Sequence, residues 1–114
     1  MSSRDAYTAI ADPTRREILA LLRDRGPLPA GQIAERFERV SRPGISRHLR
    51  ILRECGVVRA ERDGREQHYA MNPAPLLQIR DGFLASFAAM QVASLSALRE
   101  RAERKPTHKP TRAT

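Results

Sequence analysis

The 114-residue chain is poor in several things: it has one cysteine, no tryptophan and only 4% aromatic residues. With Cys55 alone, no disulfide closes within the chain, and no multi-thiolate metal site can be built from one copy. Without large rings the core must be mainly aliphatic, and the 40% of residues that are apolar suffice for a modest one. No run approaches the roughly 20 consecutive apolar residues of a membrane span. The start Met1-Ser2-Ser3-Arg4-Asp5 carries no apolar signal segment, so a cytoplasmic protein with no membrane partner is expected. A glycine-rich phosphate loop, a Ser/His/Asp set and a metal constellation are also missing, which argues against an enzyme and against a cofactor.

What the chain has in excess is arginine, which supplies 19 of its 21 basic residues and leads to a net charge of +8. The middle of the chain is the cationic part. Residues 36 to 65 hold nine arginines, at 36, 39, 42, 47, 50, 53, 59, 62 and 65, against four acids. Such a domain is a candidate for binding a polyanion, although a run of charge can equally be a solvated face.

Periodicity supplies the architecture. Tyr7, Ile10 and Ala11 recur at helical spacing and stop at Asp12-Pro13, which reads as a short first helix followed by a cap and first turn for the second. Ile18, Leu19, Leu21 and Leu22 give that second helix its buried side, and Gly26-Pro27 ends it. Leu28, Ile33, Ala34 and Phe37 mark a third over roughly residues 30 to 37. Ser41 then caps a fourth with Ile45, Leu49 and Leu52 inward, closed by Gly56. Beyond it the period changes to two: Val58, Ala60 and Arg62 share one side of a strand, Asp63-Gly64 reads as a two-residue type I′ turn, and Gln67, Tyr69 and Met71 return. A last helix runs from about Pro75 to Glu103 with Leu76, Ile79, Phe83, Phe87, Met90, Leu95 and Leu98 in one stripe. From residue 104 onward two prolines and no apolar period predict a basic disordered tail, so the boundaries expected are a single domain 1–103 and a tail 104–114.

The predicted fold class is therefore mostly α with a small β-hairpin: a winged helix-turn-helix in the order α-α-α-α-β-β-α. That arrangement usually binds DNA. On the fourth helix the outward positions are Arg42, Pro43, Ser46, Arg47, Arg50 and Arg53, with Gly44 letting the backbone come close. Arg42, Ser46 and Arg47 suit base edges, because arginine chelates guanine N7 and O6 while a hydroxyl can donate or accept; Arg50 suits a phosphate. Arg62 and Arg65 flank the hairpin turn, with few acids nearby, and suit the backbone or minor groove.

Other residues admit two readings each. His48 fits a base or phosphate contact, a metal ligand or a plain helix-surface residue. His68 reads first as a cross-strand packing residue and second as a phosphate contact. Cys55 reads as a small buried hydrophobe before it reads as a redox switch. Phe83, Phe87 and Met90 could line a pocket, but at helical spacing they more often pack an interface. A homodimer through the terminal helices, with Tyr7, Ile10 and Ile79 joining that face, also answers a physical need: two recognition helices reach successive major grooves about 34–36 Å apart.

Three runs carry a resemblance: Ala11-Asp12-Pro13-Thr14-Arg15-Arg16-Glu17-Ile18-Leu19, Ser41-Arg42-Pro43-Gly44-Ile45-Ser46-Arg47-His48-Leu49-Arg50-Ile51-Leu52, and Gly56-Val57-Val58. Together, over about residues 5 to 75, they resemble the ArsR/SmtB transcriptional regulators, and the Asp-Pro-Thr-Arg run resembles their non-classical branch. The resemblance implies a homodimer that occupies a double-stranded DNA operator and represses transcription, often of its own operon. It also favours a DNA contact for His48, and Ser41, the cap of the same helix, is counted with the DNA-binding residues. Metal-sensing members use cysteines at the start of the third helix or Asp, His and Glu on the last. This chain has Leu28-Pro29-Ala30-Gly31-Gln32-Ile33 at the first place and no His or Cys between Leu76 and Lys105 at the second. Zinc sensing by those sites is therefore not expected, and no residue points to an inducer. The link Glu38-Arg39-Val40 is one residue longer than the family's usual turn, and Pro29 stands where a Ser or Thr cap is common. An alternative function is a winged helix that binds a protein partner instead of an operator.

Overall fold

The computed structural model describes residues 4–104, with the backbone alone for residues 91–93 and Arg104, so the tail expected at 105–114 lies outside the described residues. Contacts divide the chain into two compact units, Met1–Leu77 and Gln78–Thr114.

The first unit opens with α1 (Ala6–Ile10), whose first turn is fixed by the Thr8 N–H donating to Asp5 Oδ1 at 3.0 Å. Helix α2 (Pro13–Arg25) begins the same way, with the Arg15 N–H donating to Asp12 Oδ2 at 3.1 Å and proline in its first turn, where no donor is needed. Its end requires glycine: a Cβ on Gly26 would stand 2.6 Å from the Leu22 carbonyl oxygen.

A two-residue strand that periodicity did not reveal, β1 (Leu28–Pro29), comes next. Helix α3 (Ala30–Glu35) follows and stops two residues short of the expected end, and the Pro29 before it offers no side-chain cap. Helix α4 (Arg42–Glu54) is capped by Ser41, whose Oγ accepts the Gly44 N–H at 3.1 Å. Strands β2 (Val58–Asp63) and β3 (Glu66–Met71) form the hairpin, and β1 adds to its other side to give the antiparallel order β1-β3-β2. The element order is thus the expected one with a third strand inserted. Pro29 is tolerated because β1 is an edge strand that need not donate on its outer side.

The core is aliphatic, as composition requires. Ile18, Ile33, Ile45, Leu49, Leu52 and Val57 are fully buried, and each contributes about 1.5–3 kcal/mol by leaving water. Leu21 lies only partly buried beside them.

The hairpin turn differs from its expected form. Asp63 pairs with Glu66, so the two loop residues are Gly64 and Arg65, one residue later than Asp63-Gly64. Gly64 has φ +66° and no non-glycine residue among those described has positive φ. A type I′ turn needs positive φ at both central residues and is excluded; glycine in first place is the type II′ pattern.

Helix α5 (Ala74–Ile79) closes the first unit and begins the second. The last helix is interrupted where it was expected to be continuous: Arg80–Leu84 form a π-helical turn and Ala85–Phe87 a 3₁₀ turn before α6 (Ala88–Arg104) resumes. Within the second unit Phe83 and Phe87 meet edge to face at 5.1 Å. By length and composition, with a window of mean hydropathy 1.2, the helical stretch Ala74–Glu103 could cross a membrane.

Candidate nucleic-acid interface

Helix α4 owes its orientation to its inner face. Ile45, Leu49 and Leu52 recur at helical spacing and are buried, which turns Ser41, Arg42, Pro43, Ser46, Arg47, Arg50 and Arg53 outward, all of them exposed. No acid enters the helix before Glu54 at its end, so the outer face is uniformly cationic or neutral. Such a face meets the shape and charge of a major groove.

Two expected contacts have internal neighbours. The Arg42 guanidinium reaches back over the start of α3, where its Nη1 would lie 3.7 Å from a Cβ on Gly31. Gly44 is needed by the cap itself, since a Cβ there would stand 2.9 Å from Val40 Cγ1 and 3.1 Å from Ser41 Oγ. Close approach of a ligand is therefore not required to explain the glycine.

His48 is half-buried, and its Nδ1 stands 3.3 Å from Arg15 Nη1. Arg15, which sequence reasoning left as part of a motif without a task, also donates from Nε to the Ala9 carbonyl at 3.2 Å and from Nη2 to the Thr8 carbonyl at 2.8 Å. Only the run Asp12-Pro13-Thr14-Arg15 could have drawn attention to it. Burial pushes the Asp12 carboxyl up, yet the Arg15 N–H it accepts and the positive charges that His48 and Arg15 can carry outweigh burial. The net result is a carboxyl below its ordinary value of 3.8.

On the wing, alternation from the register places Glu61, Asp63, Glu66 and His68 on one face and Ala60, Arg62, Gln67 and Tyr69 on the other. His68 Nε2 lies 3.5 Å from Glu66 Oε1 and 3.7 Å from Asp63 Oδ2. The hairpin tip was expected to have few acids near Arg62 and Arg65; instead, three acids match the three arginines of the two strands and their turn. Cys55 is buried, and burial pushes its thiol up despite the charges of Arg4 and Arg15, the state of a small packed hydrophobe. Among the described residues no three His, Cys, Asp or Glu side chains are grouped as a metal site.

A capped cationic helix presented by a helix-turn-helix and flanked by a β-hairpin defines a winged helix-turn-helix protein that binds DNA and regulates transcription. Comparison with known proteins agrees. A helix-turn-helix domain family matches residues 10–61. The transcriptional repressor SdpR of Bacillus subtilis is 44% identical over 72 residues, covering 63% of this chain and 78% of that protein. The HTH-type transcriptional regulator Rv2034 of Mycobacterium tuberculosis is 37% identical over 75 residues, 66% of this chain and 68% of that protein. Among solved structures, an ArsR-like transcriptional regulator from Rhodococcus sp. RHA1 superposes with a TM-score of 0.68 at 35% identity, over 86% of this chain and 87% of that one. The chain belongs to the ArsR family of winged helix-turn-helix transcriptional regulators.

Proposed function

We propose that this protein is a cytoplasmic, dimeric repressor that reads a two-fold-symmetric operator and carries out no catalysis. Ser41, Arg42, Pro43, Gly44, Ser46, Arg47, His48 and Arg50 form the α4 surface that enters the major groove, Arg47 and Ser46 reading bases and Arg50 a phosphate. Arg62 and Arg65 of the wing rest on the backbone, where the neighbouring acids keep their contribution small. Residues 1–103 act together as the DNA-binding and dimerisation domain. A second copy of the chain covers Phe83, Phe87 and Met90, with Tyr7 and Ile10 contributing on α1. Ile79, grouped with them from the sequence, is only 8% exposed within one chain and offers a partner little.

The observation that carries this reading is the exposed outer face of α4, free of acids until Glu54, on a helix whose inner face is locked by Ile45, Leu49 and Leu52. Footprinting the purified protein on the DNA upstream of its own gene tests it, together with autoregulation. Protection of two half-sites about one helical turn apart is expected. Binding should weaken with salt at a slope near −0.9 per neutralised phosphate in log–log form. Absence of protection, with any duplex binding indifferent to salt, would overturn the proposal.

A further inference from the structure

Arg15 bridges three helices with one side chain. Its Nε and Nη2 hold the Ala9 and Thr8 carbonyls of the last turn of α1, its own backbone N–H is held by the Asp12 cap of α2, and its Nη1 meets His48 Nδ1 on α4 at 3.3 Å. A guanidinium only donates and keeps its protons in proteins, so Nδ1 must accept. The ring proton in this arrangement then sits on Nε2, and the ring plane is set by a partner on another helix.

We propose that Arg15 is a positioning residue for operator reading: it fixes His48 in the Nε2–H tautomer, so that this place on the recognition helix presents a donor and not an acceptor. The inference rests on the reading above that His48 faces DNA. A fixed Nε2–H can donate to a phosphate oxygen, guanine N7 or O6, adenine N7 or thymine O4, and opposite the amino group of cytosine it is left as an unpaired donor. A freely rotating imidazole could present either nitrogen and would discriminate less. Because the same guanidinium grips α1, a displacement of α1 against α2 is transmitted to the donor.

The test combines imidazole NMR with a double-mutant cycle. Long-range ¹H–¹⁵N correlation on the uniformly labelled protein assigns the His48 tautomer without DNA. Arg15→Met removes every donor while keeping length and helix preference, and His48→Ala removes the proposed reader. Affinities are measured for a duplex carrying the footprinted sequence and for a scrambled duplex of equal length. The parent is expected to show Nε2 protonated and Nδ1 bare, with Arg15→Met mixing the tautomers. Each single variant should lower the preference for the footprinted duplex about tenfold, and the double variant should lose no more than His48→Ala alone. A parent with Nδ1 protonated overturns the proposal, and this result does not depend on any variant folding. An unaltered tautomer in Arg15→Met, or additive losses in the cycle, also overturns it. If the tautomer behaves as stated but His48→Ala binds like the parent, the proposal loses its footing on DNA, and the fault lies in the assignment of His48 to the interface.

Discussion

At Asp12 a single carboxylate performs two tasks whose costs can be separated. It caps α2 by accepting the Arg15 N–H, and its charge lies near that of the Arg15 guanidinium. Asparagine caps a helix about as well as aspartate, so Asp12→Asn should remove the charge and keep the cap. The folded-state carboxyl titrates below its ordinary 3.8. Ionised Asp12 therefore stabilises the fold at pH values above that figure, and the contribution disappears as the pH falls through the lower folded value. The parent should be more stable than Asp12→Asn in urea unfolding at neutral pH, and the gap should narrow as the pH falls below 3.8 and through the lower folded value. A gap that acidification leaves unchanged would show that the charge contributes nothing. Cys55 behaves in the opposite sense: burial raises its thiol, which makes it a poor nucleophile and a poor redox sensor.

Among the elements, those with strong chemical punctuation could be read in advance. Asp12-Pro13 and Ser41 mark the starts of α2 and α4, and each side chain makes the cap its type implies. The inward set of α4 followed from spacing alone, and with it the outward face on which the candidate DNA contacts stand. What escaped reading had no local signal. Two residues, one of them proline, cannot show a period, and β1 exists because β3 supplies partners in Tyr69 and His68. The turn is shifted by one residue, which sets Asp63 opposite Glu66, and His68 Nε2, at 3.7 and 3.5 Å from the two carboxylates, is a long-range neighbour that an Asp-Gly dipeptide does not reveal. The π turn at Arg80–Leu84 lies in a run whose apolar spacing still resembles a helix, since one wider turn barely displaces the stripe. Arg15 was invisible as a site residue because its partners lie 6, 7 and 33 positions away.

The same element-scale view separates the helix from the wing. Arg47 stands on the acid-free outer face of α4, whereas Arg65 stands in the turn beside the opposed Asp63 and Glu66. Arg47→Ala is expected to cost about 1–3 kcal/mol on the footprinted duplex and to relax preference at one base pair. Arg65→Ala should weaken all sequences alike, by less than that, and lower the salt slope by about one phosphate. Fluorescence anisotropy over a salt series, with footprinted and scrambled duplexes, distinguishes the two. Equal losses on both duplexes for Arg47→Ala would remove it from base reading.

For the molecule as a whole, the unresolved demand is the apolar surface of the last helix. Among the described residues of that helix, Phe83 is 54% exposed, Met90 67% and Leu95 60%. By length such a helix could enter a bilayer, whereas the two-fold pairing proposed above would cover this surface and hold two recognition helices at groove spacing. Introducing one buried charge per copy should therefore be severe, because each symmetric contact is damaged twice. Met90→Glu is expected to raise the dimer dissociation constant at least about tenfold and to weaken operator binding with it. Sedimentation velocity of the parent in detergent-free buffer should give a dimer, and the variant should shift toward monomer over the same concentration range. A parent that is monomeric, or that stays in solution only with detergent, would assign this helix to another partner and leave the operator to be read by one head at a time.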